Sequence, residues 1–137
     1  MVDKDLILRK LADLDQYLGQ VSEYQNISAE RYRQEWKTQR IVERTLQLAI
    51  EVCLDIANHI IADRRLRVPA TYAEIFTVLA EAGLLDPAER DAMVRMSGFR
   101  NLIVHEYARI DSAMVVRVLR EYLGDFVRFK TAVLRWI

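Results

Sequence analysis

The chain has 137 residues, and twenty Lys and Arg balance twenty Asp and Glu, so its formal net charge is zero. This balance argues against strong non-specific attraction to nucleic acid or to a membrane surface, because neither follows without a basic excess. A single cysteine excludes an internal disulfide framework, and four glycines with two prolines leave little room for a turn-rich β fold.

The N-terminal segment has the spacing of an amphipathic helix over about 3–21. Its apolar residues recur in steps of four and three, at Ile7, Leu11, Leu14, Leu18 and Val21. The segment is charged throughout and lacks the apolar core of a signal peptide. No stretch of the chain approaches the roughly 20 apolar residues of a membrane span. We therefore expect a cytoplasmic protein with no membrane partner.

A long second helix is predicted to start at the N-cap Ser28 and to run to about Ala62, because no Gly or Pro interrupts it. Its first half, at 29–40, is mostly charged and is expected to project or to pack on a partner. Basic residues at 64–67 suit the end of a helix, and Pro69 stops it. The second half carries an apolar stripe at Leu46, Ala49, Ile50, Cys53, Ala57 and Ile60.

Two further helix starts carry capping signals. Thr71 and Glu74 form a capping box for a short helix that ends at Gly83. Asp86 is an N-cap followed by Pro87 at the first helical position, which is the favoured place for proline. This helix is expected to continue through Met93 and Met96 into the segment 98–110.

The last helix is predicted to begin at Asp111 or Ser112. Its apolar stripe comprises Val115, Leu119, Tyr122, Phe126, Val133 and Ile137. Connections are short, and the chain shows no repeat or linker. The sequence therefore predicts an all-α, up-and-down bundle of four to five helices, forming a single domain over 1–137.

Polar side chains follow one another in the segment RNLIVHEY at 100–107. At about 100° per residue, Arg100 and Tyr107 lie one above the other on a helix, two turns apart. Asn101 and His105 are four residues apart, so their side chains can touch. Leu102, Ile103 and Val104 cover much of the remaining circumference. We expect a polar strip along a helix whose other faces are apolar.

These groups suit RNA cleavage without a metal. The neutral imidazole of His105 can take the proton from a ribose 2′-OH. The 2′-oxygen then attacks the adjacent phosphorus, and the guanidinium of Arg100 can stabilise the charge on the phosphate oxygens. Asn101 can orient the imidazole or donate to a phosphate oxygen. Only RNA carries this internal nucleophile, so DNA would be spared.

The same residues carry a family resemblance. The pattern Arg-Asn-x3-His at Arg100, Asn101 and His105 resembles the signature of the HEPN superfamily, and the longer Arg-x4-His-x-Tyr spacing resembles its HepT toxin branch. Segments 43–61 and 72–85 also resemble that branch. The similarity therefore spans most of the chain.

The resemblance implies a helical-bundle homodimer in which the motifs of both subunits line a shared cleft. It implies a toxin that acts as a metal-independent endoribonuclease, needs no cofactor and pairs with a small MNT-type nucleotidyltransferase antitoxin. In the best understood branch the antitoxin transfers AMP from ATP onto the motif tyrosine, which is Tyr107 here. The added bulk and phosphate charge would occupy the place of the RNA phosphate.

Other polar residues have simpler interpretations. Cys53, His59 and His105 lack the paired spacing of metal ligands, so no metal site is predicted. Cys53 is expected to behave as a small buried hydrophobe and His59 as a packing residue. The basic residues 64–67 more often cap a helix than bind nucleic acid. Glu106 is expected to be a solvated neighbour of the motif.

A second function remains open on the sequence. The bundle can be a non-catalytic interaction module that partners a nucleotidyltransferase, with Arg100 and His105 binding its nucleotide or holding a dimer. Zero net charge slightly favours this alternative. A dimer is expected in either case, because the two side chains diverge by about 140° around one helix. A two-fold pair of helices can aim both groups at one phosphate.

Overall fold

A computed structural model describes residues 2–137, and every regular element in that range is helical. The predicted all-α fold is confirmed, with six helices in the described range. The first five are α1 (Lys4–Ser22), α2 (Ala29–Gln34), α3 (Trp36–Asp63), α4 (Tyr72–Glu81) and α5 (Pro87–His105). The sixth, α6, comprises Ser112–Arg117, a π-helical segment Val118–Tyr122 and Leu123–Trp136.

The central helix is α3, which packs against α1, α4 and α5. All six residues of its predicted apolar stripe are buried, so that interpretation is confirmed. Full burial of an aliphatic side chain contributes about 1.5–3 kcal/mol, which makes this stripe a main source of stability. Cys53 is fully buried within it, and burial raises the pKa of its thiol. It is therefore the small hydrophobe that the sequence predicts.

Length and composition alone would allow α3 to cross a membrane, in contrast to the expectation from the sequence. It is the one helix within 2–137 that is long and apolar enough for this. However, more than half of its most apolar part is buried inside the bundle, as is usual for the core helix of a folded domain.

The predicted continuous helix from Ser28 is wrong, because the chain breaks at Glu35 (φ −110°, ψ 84°). Ser28 does cap α2. Beyond the break, the side-chain amide of Gln39 donates to the backbone oxygens of Tyr32 at 2.8 Å and Arg33 at 3.1 Å. These bonds satisfy carbonyl groups that the end of α2 leaves free. The break is thus made by side chains, without Gly or Pro.

The predicted caps of α4 and α5 are present. The Thr71 hydroxyl accepts from the backbone N–H of Glu74, while the Glu74 carboxylate accepts from Ala70 rather than from Thr71. At α5 the capping box is complete, because Asp86 and Glu89 each accept from the other's backbone N–H, at 2.7 and 2.9 Å. Such caps stabilise a helix by about 1 kcal/mol.

The basic residues after α3 hold the chain to neighbouring helices. Arg67 is paired with Glu74 and with Glu81, and its hydrogen bonds lower the pKa of both carboxyl groups. Arg64 donates to the backbone oxygen of Trp136 at 3.2 Å. These contacts give the segment 64–67 a structural role.

Helix α6 closes the core. Asp111 is its N-cap, accepting from Ala113 at 3.0 Å, as predicted. The ring of Phe129 meets Phe76 of α4 and Trp136 edge to face, with centroids 5.8 and 5.9 Å apart. The predicted stripe of α6 is buried or partly buried throughout: Val115, Leu119, Tyr122, Phe126, Val133 and Ile137.

Candidate active site

The motif lies on the last turns of α5. Phe99 and Ile103 point into the core and fix the rotation of the helix about its axis. This rotation leaves Asn101 and His105 exposed and Arg100 partly covered. The sequence thus places three of the four predicted residues on one helix, as expected.

The fourth predicted residue is not on α5, and the expected stacking of Tyr107 over Arg100 is wrong. The helix ends at His105, and Glu106 (φ −136°, ψ 38°) turns the chain. Tyr107 then opens a short 3₁₀ turn, Tyr107–Arg109, where it is 72% exposed. Residues 105–109 are all exposed, so no buried side chain holds this segment against the core as a continuation of α5. The polar strip therefore ends at His105.

Arg100 is held by two side chains that the sequence analysis did not identify. Its guanidinium donates to Glu51 Oε1 of α3 at 3.1 and 3.3 Å, and the ring of Tyr72 in α4 lies 4.8 Å from its central carbon. Only 13% of the Arg100 side chain is exposed. The ion pair and the ring fix the guanidinium before any ligand binds, which favours electrostatic stabilisation of a transition state.

The signal for Glu51 was present in the sequence but weak. Glu51 lies in an otherwise apolar part of α3, between the buried Ile50 and Cys53. A carboxylate there needs a partner, since a half-buried charge is costly when unpaired. Gln47, one turn earlier, also donates to its Oε1, at 3.0 Å. Which arginine pairs with Glu51 depends on helix packing, which spacing alone does not reveal.

Asn101 contacts the arginine rather than the histidine. Its Oδ1 accepts from Arg100 Nη1 at 3.3 Å. Within residues 2–137 His105 makes no hydrogen bond, so its imidazole is available to a ligand. The expected contact between Asn101 and His105 is therefore absent, and orientation of the imidazole by Asn101 remains a prediction for the bound state.

Two further titratable residues considered from the sequence are exposed. His59 lies in a groove beside α1 and Asp3, so the expected packing role is wrong. Glu106 is exposed and pairs with Arg109 at 3.3 Å, in line with its expected solvated position. Among the described residues, no cluster of three or more His, Cys, Asp or Glu is arranged to hold a metal ion.

An apolar groove of about 350 Å³ runs between α5 and α6. By helical position Gly98, Leu102 and His105 share one face of α5, and the first two line this groove. Arg100 faces α3 and α4 on another side. One helix therefore presents the two predicted catalytic groups in different directions. The groove is lined by Arg95, Met96, Gly98, Phe99, Leu102, Met114, Val118, Tyr122 and Asp125.

Comparison with known proteins gives a consistent result. The family described as Ribonuclease HepT-like matches residues 14–133. The chain is 31% identical over 125 residues to the mRNA nuclease HepT of Shewanella oneidensis, covering 91% of this chain and 93% of that protein. It is 32% identical over 125 residues to the tRNA nuclease HepT of Aphanizomenon flos-aquae, covering 91% and 85%.

A solved structure shows the same similarity. The tri-AMPylated Shewanella oneidensis HEPN toxin, in complex with an MNT antitoxin, matches with a TM-score of 0.88 at 30% identity. The match covers 96% of this chain and 98% of that chain. The similarity therefore extends over nearly the whole bundle.

Proposed function

The chain belongs to the HepT-like ribonuclease family, and on that premise we propose that it is the toxin of a toxin–antitoxin pair. It cleaves RNA as a metal-independent endoribonuclease, by attack of a ribose 2′-OH on the adjacent phosphodiester. The observation that carries this proposal is the presence of two groups on α5. The Arg100 guanidinium is fixed by Glu51 and Tyr72, and the His105 imidazole makes no hydrogen bond within residues 2–137. Its relatives named as nucleases of mRNA and of tRNA support the RNA substrate.

The two groups divide the chemistry. His105 takes the proton of the 2′-OH as the 2′-oxygen bonds to phosphorus, and it later returns a proton to the leaving 5′-oxygen. The products are a 2′,3′-cyclic phosphate and a 5′-hydroxyl. Arg100 stabilises the negative charge that gathers on the non-bridging oxygens. His105 takes one proton and returns one, and the P–O2′ bond forms as the P–O5′ bond breaks, so the reaction balances without a metal or cofactor.

The site is completed by a second copy of the chain. Arg100 and His105 lie five residues apart on α5, so they diverge by about 140° and are offset by about 7.5 Å along the axis. A two-fold axis near α5 brings the arginine of one subunit to the histidine of the other. The apolar groove beside His105 offers a surface on which the second copy can pack.

Control of the toxin acts through Tyr107. The phenol is 72% exposed two residues beyond His105, where a second protein can reach it. The similar Shewanella toxin is AMPylated and bound to an MNT antitoxin. In this chain an MNT-type nucleotidyltransferase would transfer AMP from ATP to the Tyr107 oxygen and release pyrophosphate. The added phosphate repels RNA from the adjacent imidazole.

The cleavage reaction is tested with purified protein, total RNA and excess EDTA. We expect cleavage by the parent chain and loss of cleavage in His105→Ala and Arg100→Ala. His59→Ala and Arg90→Ala are the matched controls, since both residues are outside the motif, and they should cut normally. Cleavage by both motif variants at the parent rate would contradict the mechanism.

The modification is tested by mass spectrometry after incubation with an MNT-type nucleotidyltransferase and ATP. Each added AMP unit raises the mass by about 329 Da. We expect this increase in the parent chain and in Tyr17→Phe, but not in Tyr107→Phe. A shift that survives Tyr107→Phe would assign the modification to another residue.

One observation favours a second candidate function. The net charge of zero is low for a protein that binds RNA. The bundle would then be a non-catalytic partner of the nucleotidyltransferase. Growth arrest on expression of this chain alone, abolished by His105→Ala, would exclude that alternative.

A further inference from the structure

Exposed basic side chains line one face of α3 and lead toward the motif. We define the α3 stripe as Lys37, Arg40 and Arg44, which are all exposed. At 3.6 residues per turn the three share one face, and Gln47 and Glu51 continue the same line. Glu51 is the residue that holds Arg100. The stripe therefore points along α3 to the proposed reaction site.

The distances along the helix suit an extended ligand. With a rise of 1.5 Å per residue, Arg44 lies about 10 Å from Glu51 along the axis, and Lys37 lies about 21 Å from it. A strand that places one phosphate at Arg100 would pass the stripe with its next few phosphates. The stripe begins where the chain breaks at Glu35.

The positive charge of the stripe is largely unpaired. Arg44 makes no hydrogen bond or ion pair within residues 2–137. Arg40 reaches only Glu43, at the long distance of 4.0 Å, and 69% of its side chain is exposed. By contrast, Arg67 is fully engaged by Glu74 and Glu81. A chain of zero net charge thus carries a local cationic surface.

An exposed aromatic ring lies beside the stripe. Trp36 is 63% exposed at the first position of α3, and the Lys37 ammonium lies 5.7 Å from its ring. A single exposed indole is common on protein surfaces, but this one lies at the end of a row of three cations. Cations that track phosphates and an aromatic ring that stacks a base are together the usual elements of a single-strand binding surface.

We propose that the α3 stripe and Trp36 bind single-stranded RNA on one side of the scissile phosphate. The inference rests on the proposed ribonuclease function and names a second part of its substrate site. Lys37, Arg40 and Arg44 contact consecutive phosphates, and Trp36 stacks an unpaired base. Selectivity follows, because a base-paired strand cannot offer its ring face to Trp36.

The test measures RNA affinity in the His105→Ala background, with a labelled single-stranded RNA at several salt concentrations. Arg40→Gln/Arg44→Gln should weaken binding at least tenfold at low salt. Losing two phosphate contacts should also reduce the slope of log K against log salt by about 1.4. The control Lys4→Gln/Arg9→Gln removes the same charge from α1, whose N-terminal end lies near the C-terminal end of α3. It should change neither quantity.

The aromatic contact has its own test. Trp36→Leu keeps an apolar side chain but cannot stack, and it should weaken binding about tenfold. Trp36→Phe should restore most of the affinity. In an otherwise parental chain, both the stripe and Trp36 variants should raise KM and leave kcat unchanged, because these residues lie away from the reacting atoms.

Two outcomes would overturn this inference and leave the proposed ribonuclease function intact. The first is unchanged affinity and salt slope in Arg40→Gln/Arg44→Gln while the parent binds and cuts RNA. The second is loss of binding to the nucleotidyltransferase with unchanged RNA affinity, which would make the stripe a protein interface. If the parent chain neither binds nor cuts RNA, the proposed function itself fails.

Discussion

The N-terminal half of α5 carries no motif residue, whereas its C-terminal half carries Arg100, Asn101 and His105. A complete capping box fixes the first turn, and Met93 and Met96 lie in the core. In the last turns Asn101 and His105 face solvent, and Arg100 is held only by polar and aromatic contacts. One helix thus serves two purposes: both halves contribute to the core, through Met93 in the first and Phe99 in the second, and only the second half also carries the motif. Substitutions in the two halves should therefore separate these properties.

The largest expected effect is on catalysis. His105→Ala removes the proton-transfer group and should lower kcat by about 10²–10⁴-fold. Its melting temperature should stay that of the parent, because the side chain is exposed and makes no bond within 2–137. Cleavage rates and thermal unfolding of the same preparation check both statements. A large fall in melting temperature would contradict this prediction, because it would show that His105 also stabilises the fold.

The opposite effect is expected for a core residue in the N-terminal half of α5. Met93→Ala leaves a cavity at a residue that is only 1% exposed and should lower the free energy of unfolding by about 2–5 kcal/mol. The activity of the molecules that remain folded should be unchanged. Urea unfolding and cleavage at low temperature measure the two properties. A drop in kcat without a loss of stability would contradict the division of α5.

A smaller effect is expected where Glu51 of α3 holds Arg100 of the motif. Glu51→Gln keeps an acceptor for Arg100 but removes the charge, so the guanidinium is held less firmly. Loss of one charged hydrogen bond corresponds to about a tenfold fall in kcat, with no rise in KM. Glu43→Gln is the matched control on the same helix and should leave kcat unchanged. A rise in kcat would contradict this prediction, because it would show that the ion pair with Glu51 keeps Arg100 from acting on the phosphate.

The smallest expected effect concerns the start of α5. Asp86→Ala removes the N-cap and should lower the free energy of unfolding by about 1 kcal/mol, with no change in kcat. Asp91→Ala, an exposed residue one turn later, should cost less. Equal losses in both variants would show that the capping box contributes little.

Features set by local sequence could be predicted. The caps at Ser28, Thr71, Asp86 and Asp111 depend on a side chain and the backbone within three residues of it, and all four are present. The buried stripe of α3 likewise follows from helical spacing. Short-range geometry therefore accounts for most of the fold.

Features that depend on contacts between side chains distant in sequence could not be predicted. The break at Glu35 depends on Gln39 bonding back to α2, and the Arg100–Glu51 pair depends on how α5 packs on α3. The end of α5 at His105 was missed because the motif spacing fits a continuing helix. His59 was misjudged because an apolar neighbourhood in sequence does not show which way a side chain points.

The central claim is that an arginine and a histidine from two subunits act on one phosphate. Its most direct test is a heterodimer of Arg100→Ala and His105→Ala chains, co-expressed with two different tags and purified through both. One of its two sites would keep both groups, so we predict roughly half the activity of the parent dimer. Activity no higher than that of either variant alone would contradict the account.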